Sequence, residues 1–473
     1  MNTRARRATS ATAAAVVCSA GVFGLAGPAD AATTPPMMHA TETITTLPYT
    51  AVNALVPDPS TGRVFVSGGI SGNTVTTSIE VLNTAGQIVG SITGQSGVST
   101  LQLSADGTTL YAADAATRTI TAINTSTLSQ TASYSTGSAA AASMALSGGN
   151  LWFSSSSDTY LHELDLSTGT VSTTTVDAMQ ANSVLAASPA APNVLAVGSL
   201  GADPGSVEVY TVASGAPVGT AGGVVGSCEN LMGVTVNPDG THLDVNCGYP
   251  YEGLEVALDA PTTVLQTYPT GAYTDSLAVA ADGEVLIGTS FEPNSVYEFN
   301  PASTTPVGDF GTPTWGDTAD RVAWGADDSV FYAAISSASA TYATLHTYKQ
   351  VGGFTFTTPA VVHPSDTYSV SGQLALVSSP LANTQVKVTR TVNGGQPTTV
   401  GTFVTNSSGG FSFSDECSRA STVIYTAVDV SAPTATNSVT MNCIPVVYPI
   451  TGAPKPGTPV KSTTVLKAVR AAR

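Results

Sequence analysis

Leu101-Gln102-Leu103-Ser104-Ala105-Asp106-Gly107-Thr108-Thr109-Leu110-Tyr111-Ala112-Ala113-Asp114 is the stretch from which the fold can be read. Apolar residues alternate with polar or small ones on both sides of Asp106-Gly107. A period of two puts one face of a strand on a core. Asp-Gly supplies the positive φ that a tight hairpin needs. Two more alternating runs follow, Thr119-Ile120-Thr121-Ala122-Ile123 and Gln130-Thr131-Ala132-Ser133-Tyr134. The unit is four short strands in a row.

The unit recurs at roughly 43 residues, a spacing typical of four-stranded repeats. Its first turn reappears as Thr61-Gly62, Gly148-Gly149, Pro192-Asn193, Asp239-Gly240, Asp282-Gly283 and Asp327-Asp328. The second run is apolar in Val64-Phe65-Val66, Leu151-Trp152-Phe153, Val285-Leu286-Ile287 and Val330-Phe331-Tyr332, and weakest in Leu243-Asp244-Val245. Third runs such as Ile79-Glu80-Val81-Leu82 and Val207-Glu208-Val209-Tyr210 alternate, as a half-exposed outer strand should. Seven copies of four strands predict an all-β chain with a seven-bladed β-propeller over residues 32–349. The last copy lacks its fourth run, while Thr41-Glu42-Thr43-Ile44-Thr45-Thr46-Leu47 stands alone upstream. A closed ring leaves no free edge, so residues 41–47 are expected to complete the last blade. An eight-bladed or open ring is the alternative.

On Asp106-Gly107 through Asp114 and its copies, residues 40–349 resemble the secreted seven-bladed propellers with YVTN repeats, allied in fold to lactonase-type propellers. The YVTN tetrapeptide itself is degenerate here. The resemblance implies the fold and leaves function open, because propellers host enzymes, sensors and adhesion modules alike.

After Lys349 the pattern changes. Gly352 to Pro364 reads as a linker or a first strand. Tyr368–Leu374, Thr384–Arg390, Thr399–Val404, Gly410–Phe413, Val423–Val428 and Ser438–Met441 then alternate between turn residues, which predicts a C-terminal β-sandwich over 350–443. Val386-Lys387-Val388-Thr389-Arg390, Gly401-Thr402-Phe403-Val404-Thr405 and Gly409-Gly410-Phe411-Ser412-Phe413 look like the bacterial Ig-like repeat of actinobacterial surface proteins. That resemblance implies a spacer or adhesive module. Residues 444–473 are rich in Pro, Thr and Lys. They hold Lys455, Lys461, Lys467, Arg470 and Arg473 with no acid, and are expected to be disordered.

Residues 1–31 read as a signal peptide. Arg4, Arg6 and Arg7 precede an apolar run, and Ala29-Asp30-Ala31 gives the small-x-small cleavage pattern. No later stretch is long and apolar enough to span a bilayer. A secreted, extracellular or wall-associated monomer is expected. Export predicts oxidised cysteines. Beyond Cys18, the chain has Cys228, Cys247, Cys417 and Cys443, which allow three connectivities. Spacing favours the local pairs Cys228–Cys247 and Cys417–Cys443. From Ala32 to Lys349, four cations (Arg63, Arg118, Arg321, Lys349) face 27 acids, a balance of −23. Such a surface repels nucleic acid and anionic lipid.

The chain has no Gly-x-Ser-x-Gly, His-Glu-x-x-His, Walker or dinucleotide fingerprint. His39, His162, His242, His346 and His363 occupy unrelated positions in the repeat, so no catalytic residue is assigned. Aligning the copies on their first turn places Asn53, Ser99, Ala142, Asn182, Met232, Asp275 and Asp320 just ahead of each inner strand. These positions are expected to face the axis. Asn53, Asn182, Asp275 and Asp320 would hydrogen-bond a sugar or supply oxygens to Ca²⁺. Tyr49, Tyr273 and Trp315 in the same loops, with Tyr249, Tyr251 and Glu252 of the fifth copy, would add an aromatic platform for a sugar face. In a hairpin centred on Asp239-Gly240, Met232 should face Cys247.

The leading expectation is a non-catalytic binding or adhesion protein that recognises a carbohydrate or an extracellular protein and needs no cofactor. A calcium-dependent lactonase- or lyase-type enzyme, or a structural envelope protein, is the alternative.

Overall fold

The computed structural model describes residues 31–445, apart from 69, 72–73, 178, 214–215, 291–294, 302, 312–316, 327, 338, 377–378 and 434–435. The expected signal peptide, the basic tail and Trp315 therefore lie outside the described residues. Described residues form strands and no helix. None forms a helix long and apolar enough to cross a membrane.

Seven four-stranded antiparallel sheets follow one another. The inner strands are Ala54–Asp58, Val98–Leu103, Ala141–Ser147, Val184–Ala186, Glu229–Val236, Tyr273–Val279 and Asp317–Trp324. The hairpins after them turn as the sequence suggests, with Gly62, Gly107, Gly148, Gly149, Gly240 and Gly283 all at positive φ. In blade seven, Ala31–Thr46 supplies the outer strand: Thr41 pairs with Lys349, Thr43 with Thr347 and Thr46 with Thr344. The sheets are those of a seven-bladed propeller.

Each pair of neighbouring blades shares its own apolar cluster. Phe65, Ile79 and Val81 of blade one meet Leu101 and Leu110 of blade two. Equivalent clusters fill the next five interfaces. The last closes the ring: Leu47, Tyr49, Val64 and Val66 pack on Ala323, Tyr332, Ala334 and Leu345. This packing corrects one expectation. The third strands of blades one and two are not half-exposed, since Ser78–Asn83 and Thr119–Asn124 are buried except at their ends, whereas Glu163, Glu208 and Glu255 stay half-exposed between buried neighbours in blades three to five. Neighbouring blades cover both faces of each sheet. The fourth strands, such as Ser129–Ser135, are the most open to solvent.

The C-terminal β-sandwich joins without a loop. One strand, Thr344–Pro359, begins beside Val330–Ser337 in blade seven and ends beside Thr367–Leu376 in the sandwich. Its partner Ala31–Thr46 follows it across both regions, with register shifts at Thr34/Met37 and His39/Ala40. A sheet of Val361–Val362, Thr436–Cys443, Ser421–Asp429, Gln385–Val392 and Thr398–Val404 forms the second layer. Phe354, Phe356, Val370, Val386, Phe411, Tyr425 and Met441 fill the core between the layers. Cys417–Cys443 bridges the sandwich and Cys228–Cys247 bridges blade five, with Cα atoms 6.1 and 5.3 Å apart.

Strand direction fixes the polarity of the whole. Inner strands start at the end of the ring that also carries the second-to-third-strand loops. The ribbon runs past Lys349 out of the other end, so the sandwich leaves the first end uncovered.

Candidate functional site in the central channel

Asn53, Ser99, Ala142, Asn182, Met232, Asp275 and Asp320 all line one cavity of about 680 Å³ on the axis. Equal spacing from a turn becomes convergence in space because the ring closes.

Local backbone explains how these side chains are aimed. The inner-strand pairing slips between Val98 and Thr100, Ala141 and Met144, Leu231 and Gly233, Thr274 and Ser276, and Ala319 and Arg321. Each slip is a β-bulge, which inserts one unpaired residue and redirects its side chain. Ser99, Met232, Asp275 and Asp320 are such residues. The bulge also corrects the pairing in blade five: Leu231, not Met232, faces Cys247. Asn182 reaches the channel differently, from a left-handed backbone (φ 65°) that Asn tolerates.

Several of these groups latch one blade to the next. Asn53 Nδ2 donates to Val98 O at 3.1 Å, and Ser99 Oγ to Ala141 O at 2.5 Å. Ser276 Oγ donates to Ala319 O at 2.8 Å. Asp320 spends both carboxylate oxygens, accepting from Val52 N at 2.9 Å and from Ser336 Oγ at 2.8 Å. These bonds satisfy the polar inner wall, and the Val52–Asp320 bond ties blade seven to blade one.

Three groups in the cavity remain unspent. Asp275 accepts from Ser290 Oγ through Oδ2 alone. Burial pushes its carboxyl up to about 6. The Ser290 hydrogen bond and Arg321 oppose that rise, while Asp320 adds to it. Arg321 was not foreseen from the sequence. It directs Nε to Asn53 O at 2.8 Å and Nη1 to Asp320 O, both neutral carbonyls. Its side chain is exposed within the ring, and enclosure by the surrounding blades lowers its pKa. Asn246, on the second strand of blade five, is fully buried and lines the cavity, and among the described residues neither amide atom has a hydrogen-bond partner. Arg321 was traceable: it is one of four cations in residues 32–349 and follows an axis position.

The aromatic platform does not assemble as expected. Tyr49 is 3 % exposed and belongs to the blade-seven/blade-one core. Its hydroxyl accepts from Glu80 N at 3.1 Å and donates to Ser78 O at 3.0 Å, and burial, with the Glu80 charge, raises its pKa against those bonds. The reason is geometric: its ring fills the space over Gly68. Tyr273 is half-buried, donating to Met232 Sδ at 3.2 Å and accepting from Asn230, and does not line the cavity. Tyr249 and Tyr251 are exposed at the open end of blade five, edge to face at 5.7 Å. Glu252 beside them accepts from Ser227 Oγ at 3.0 Å.

No family model and no curated protein matches the chain. Solved structures do. A chain of Kuenenia stuttgartiensis hydrazine synthase is similar at 14 % identity and a TM-score of 0.50, covering 61 % of this chain and 94 % of that one. A chain of a mitotic checkpoint complex matches at 14 % identity and a TM-score of 0.48, covering 74 % and 99 %. Likeness at this identity shows a shared fold alone.

Proposed function

We propose that the protein is an extracellular, non-catalytic binding protein. Its axial cavity takes a small polar ligand, with a carbohydrate as the first class to test. One observation carries the reading: residues from all seven blades line a single polar cavity at the end the sandwich leaves open. Around 680 Å³ suits a ligand of sugar or small-metabolite size. The exposed Tyr249–Tyr251 corner could extend the contact to a longer chain. The sandwich, read as an Ig-like spacer, would hold the open end away from whatever anchors the protein. Two disulfides accord with an oxidising compartment.

Calcium held by Asn53, Asn182, Asp275 and Asp320 is the weaker reading. Asp320 has both oxygens engaged, Asn53 Nδ2 faces Val98 O, and Arg321 already brings positive charge. A glycan array followed by calorimetry tests the proposal. Binding that Asp275→Ala weakens supports it. Binding that this substitution leaves unchanged, or no binding to any glycan or small polar probe, contradicts it.

A further inference from the structure

We infer that the axial cavity is a zwitterion site, built for a small ligand that bears a carboxylate and an ammonium group. The inference rests on the channel being the binding site and names the ligand class.

Charge placement is the first argument. Arg321 is a cation in a ring whose described and undescribed residues 32–349 sum to −23. The expected fate of such a guanidinium is an ion pair. Yet the ion pairs of the described residues join His162–Asp158, His242–Asp239, His242–Glu255, His346–Glu42 and Arg390–Asp415, and none reaches Arg321. Its two hydrogen bonds go to backbone carbonyls. Nη2 and one Nη1 proton remain, a fork that matches a carboxylate.

Asp275 supplies the complementary charge. Among the described residues Oδ1 has no partner, and Ser290 occupies Oδ2 alone. It feels Arg321 on the neighbouring blade without pairing to it. An ammonium at Oδ1 and a carboxylate at Arg321 would neutralise both groups at once. A purely anionic ligand would meet Asp275 and Asp320, and a purely cationic one would meet Arg321.

A notch in the wall completes the site. Gly233 interrupts the inner strand of blade five, and a Cβ there would strike Asn246 Oδ1. With no side chain at 233, Asn246 sits buried in the cavity wall, and among the described residues its amide donor and acceptor have no partner. A buried unpaired amide costs free energy unless a ligand or water meets it. A backbone-like part of the ligand entering beside Gly233 would give that amide a partner.

The test is calorimetry on the full chain with the twenty free L-amino acids and glycylglycine, with acetate, methylamine and glucose as controls. At least one zwitterion should bind, and neither acetate nor methylamine should. Arg321→Gln and Asp275→Asn should each weaken that binding roughly ten- to hundredfold. Gly233→Ala, which forces Asn246 Oδ1 aside without removing a charge, should weaken it as well. Glucose or glycan binding that Arg321→Gln leaves unchanged would overturn the zwitterion assignment and leave the channel reading standing. Silence of every zwitterion together with every glycan would overturn both.

Discussion

Arg321 Nε donates to the carbonyl of Asn53 at 2.8 Å, across 268 residues of chain. Next to it, Asp320 Oδ2 accepts from Val52 N at 2.9 Å. These two contacts join the last blade to the first at the wall of the cavity. One dipeptide therefore closes the ring and equips the site.

The outer strand of blade seven should also depend on a polar contact. His346 Nδ1 and Glu42 Oε1 lie 2.6 Å apart, with His346 buried and Glu42 at the surface. Glu42→Ala should cost about 1 kcal/mol, the usual loss of a hydrogen bond at a partly buried group. Urea unfolding measures it, and no change in midpoint would show that strand pairing alone holds the segment.

Cys228–Cys247 joins cysteines 19 positions apart in blade five. Cross-linking a loop of that size restricts the unfolded chain by roughly 3 kcal/mol. The Cys228→Ser, Cys247→Ser double variant should lose about that much stability under the same urea titration. A loss below about 1 kcal/mol would mean that the hairpin is already ordered without its bridge.

Gly248 should tolerate no side chain. A Cβ there would lie 2.7 Å from the Tyr273 ring and 2.8 Å from Asn230 Nδ2. Gly248→Ala is expected to cost roughly 1–3 kcal/mol as an overpacking change. It should also alter the packing around Tyr249 and Tyr251, which near-ultraviolet circular dichroism would report.

Stability should fall as pH rises. Burial holds Glu284 at about 9 and Glu298 at about 8, and lifts Asp275 to about 6. Each carboxyl keeps its proton longer in the folded chain than in the unfolded one. The resulting stability is complete below about pH 4, where both states are protonated. It is lost as pH climbs through the three folded values. Tm should drop by roughly 5 °C or more between pH 6 and pH 9. Glu298→Gln keeps an oxygen for Gln350 Nε2, which donates to Glu298 Oε1 at 2.7 Å, and should flatten that slope. An unchanged slope in the variant would contradict the assignment.

The repeat was legible because local chemistry and global shape agree in it. Asp-Gly turns and period-two runs specify each hairpin before any tertiary contact forms. Convergence of Asn53, Asp275 and Asp320 followed from counting residues back from those turns. The bulges did not follow, because an extra residue in a strand leaves no mark in a pattern of small residues such as Ala142-Ser143. Tyr49 shows a second limit. An aromatic in a loop reads as exposed until the neighbouring Gly68 and the Glu80 amide are known to receive it. Asn246 shows a third: only the missing side chain of Gly233, thirteen positions earlier, makes it part of the channel.

Everything proposed for the channel depends on one ring closed by its own N-terminal strand. Thr46 and Thr344 face each other in that pairing. The most direct test is a Thr46→Cys, Thr344→Cys variant, mapped by peptide mass spectrometry after non-reducing digestion. The closed ring predicts an intramolecular bridge between positions 46 and 344 in a monomer. Two free thiols, or a bridge formed only between two chains, would contradict it.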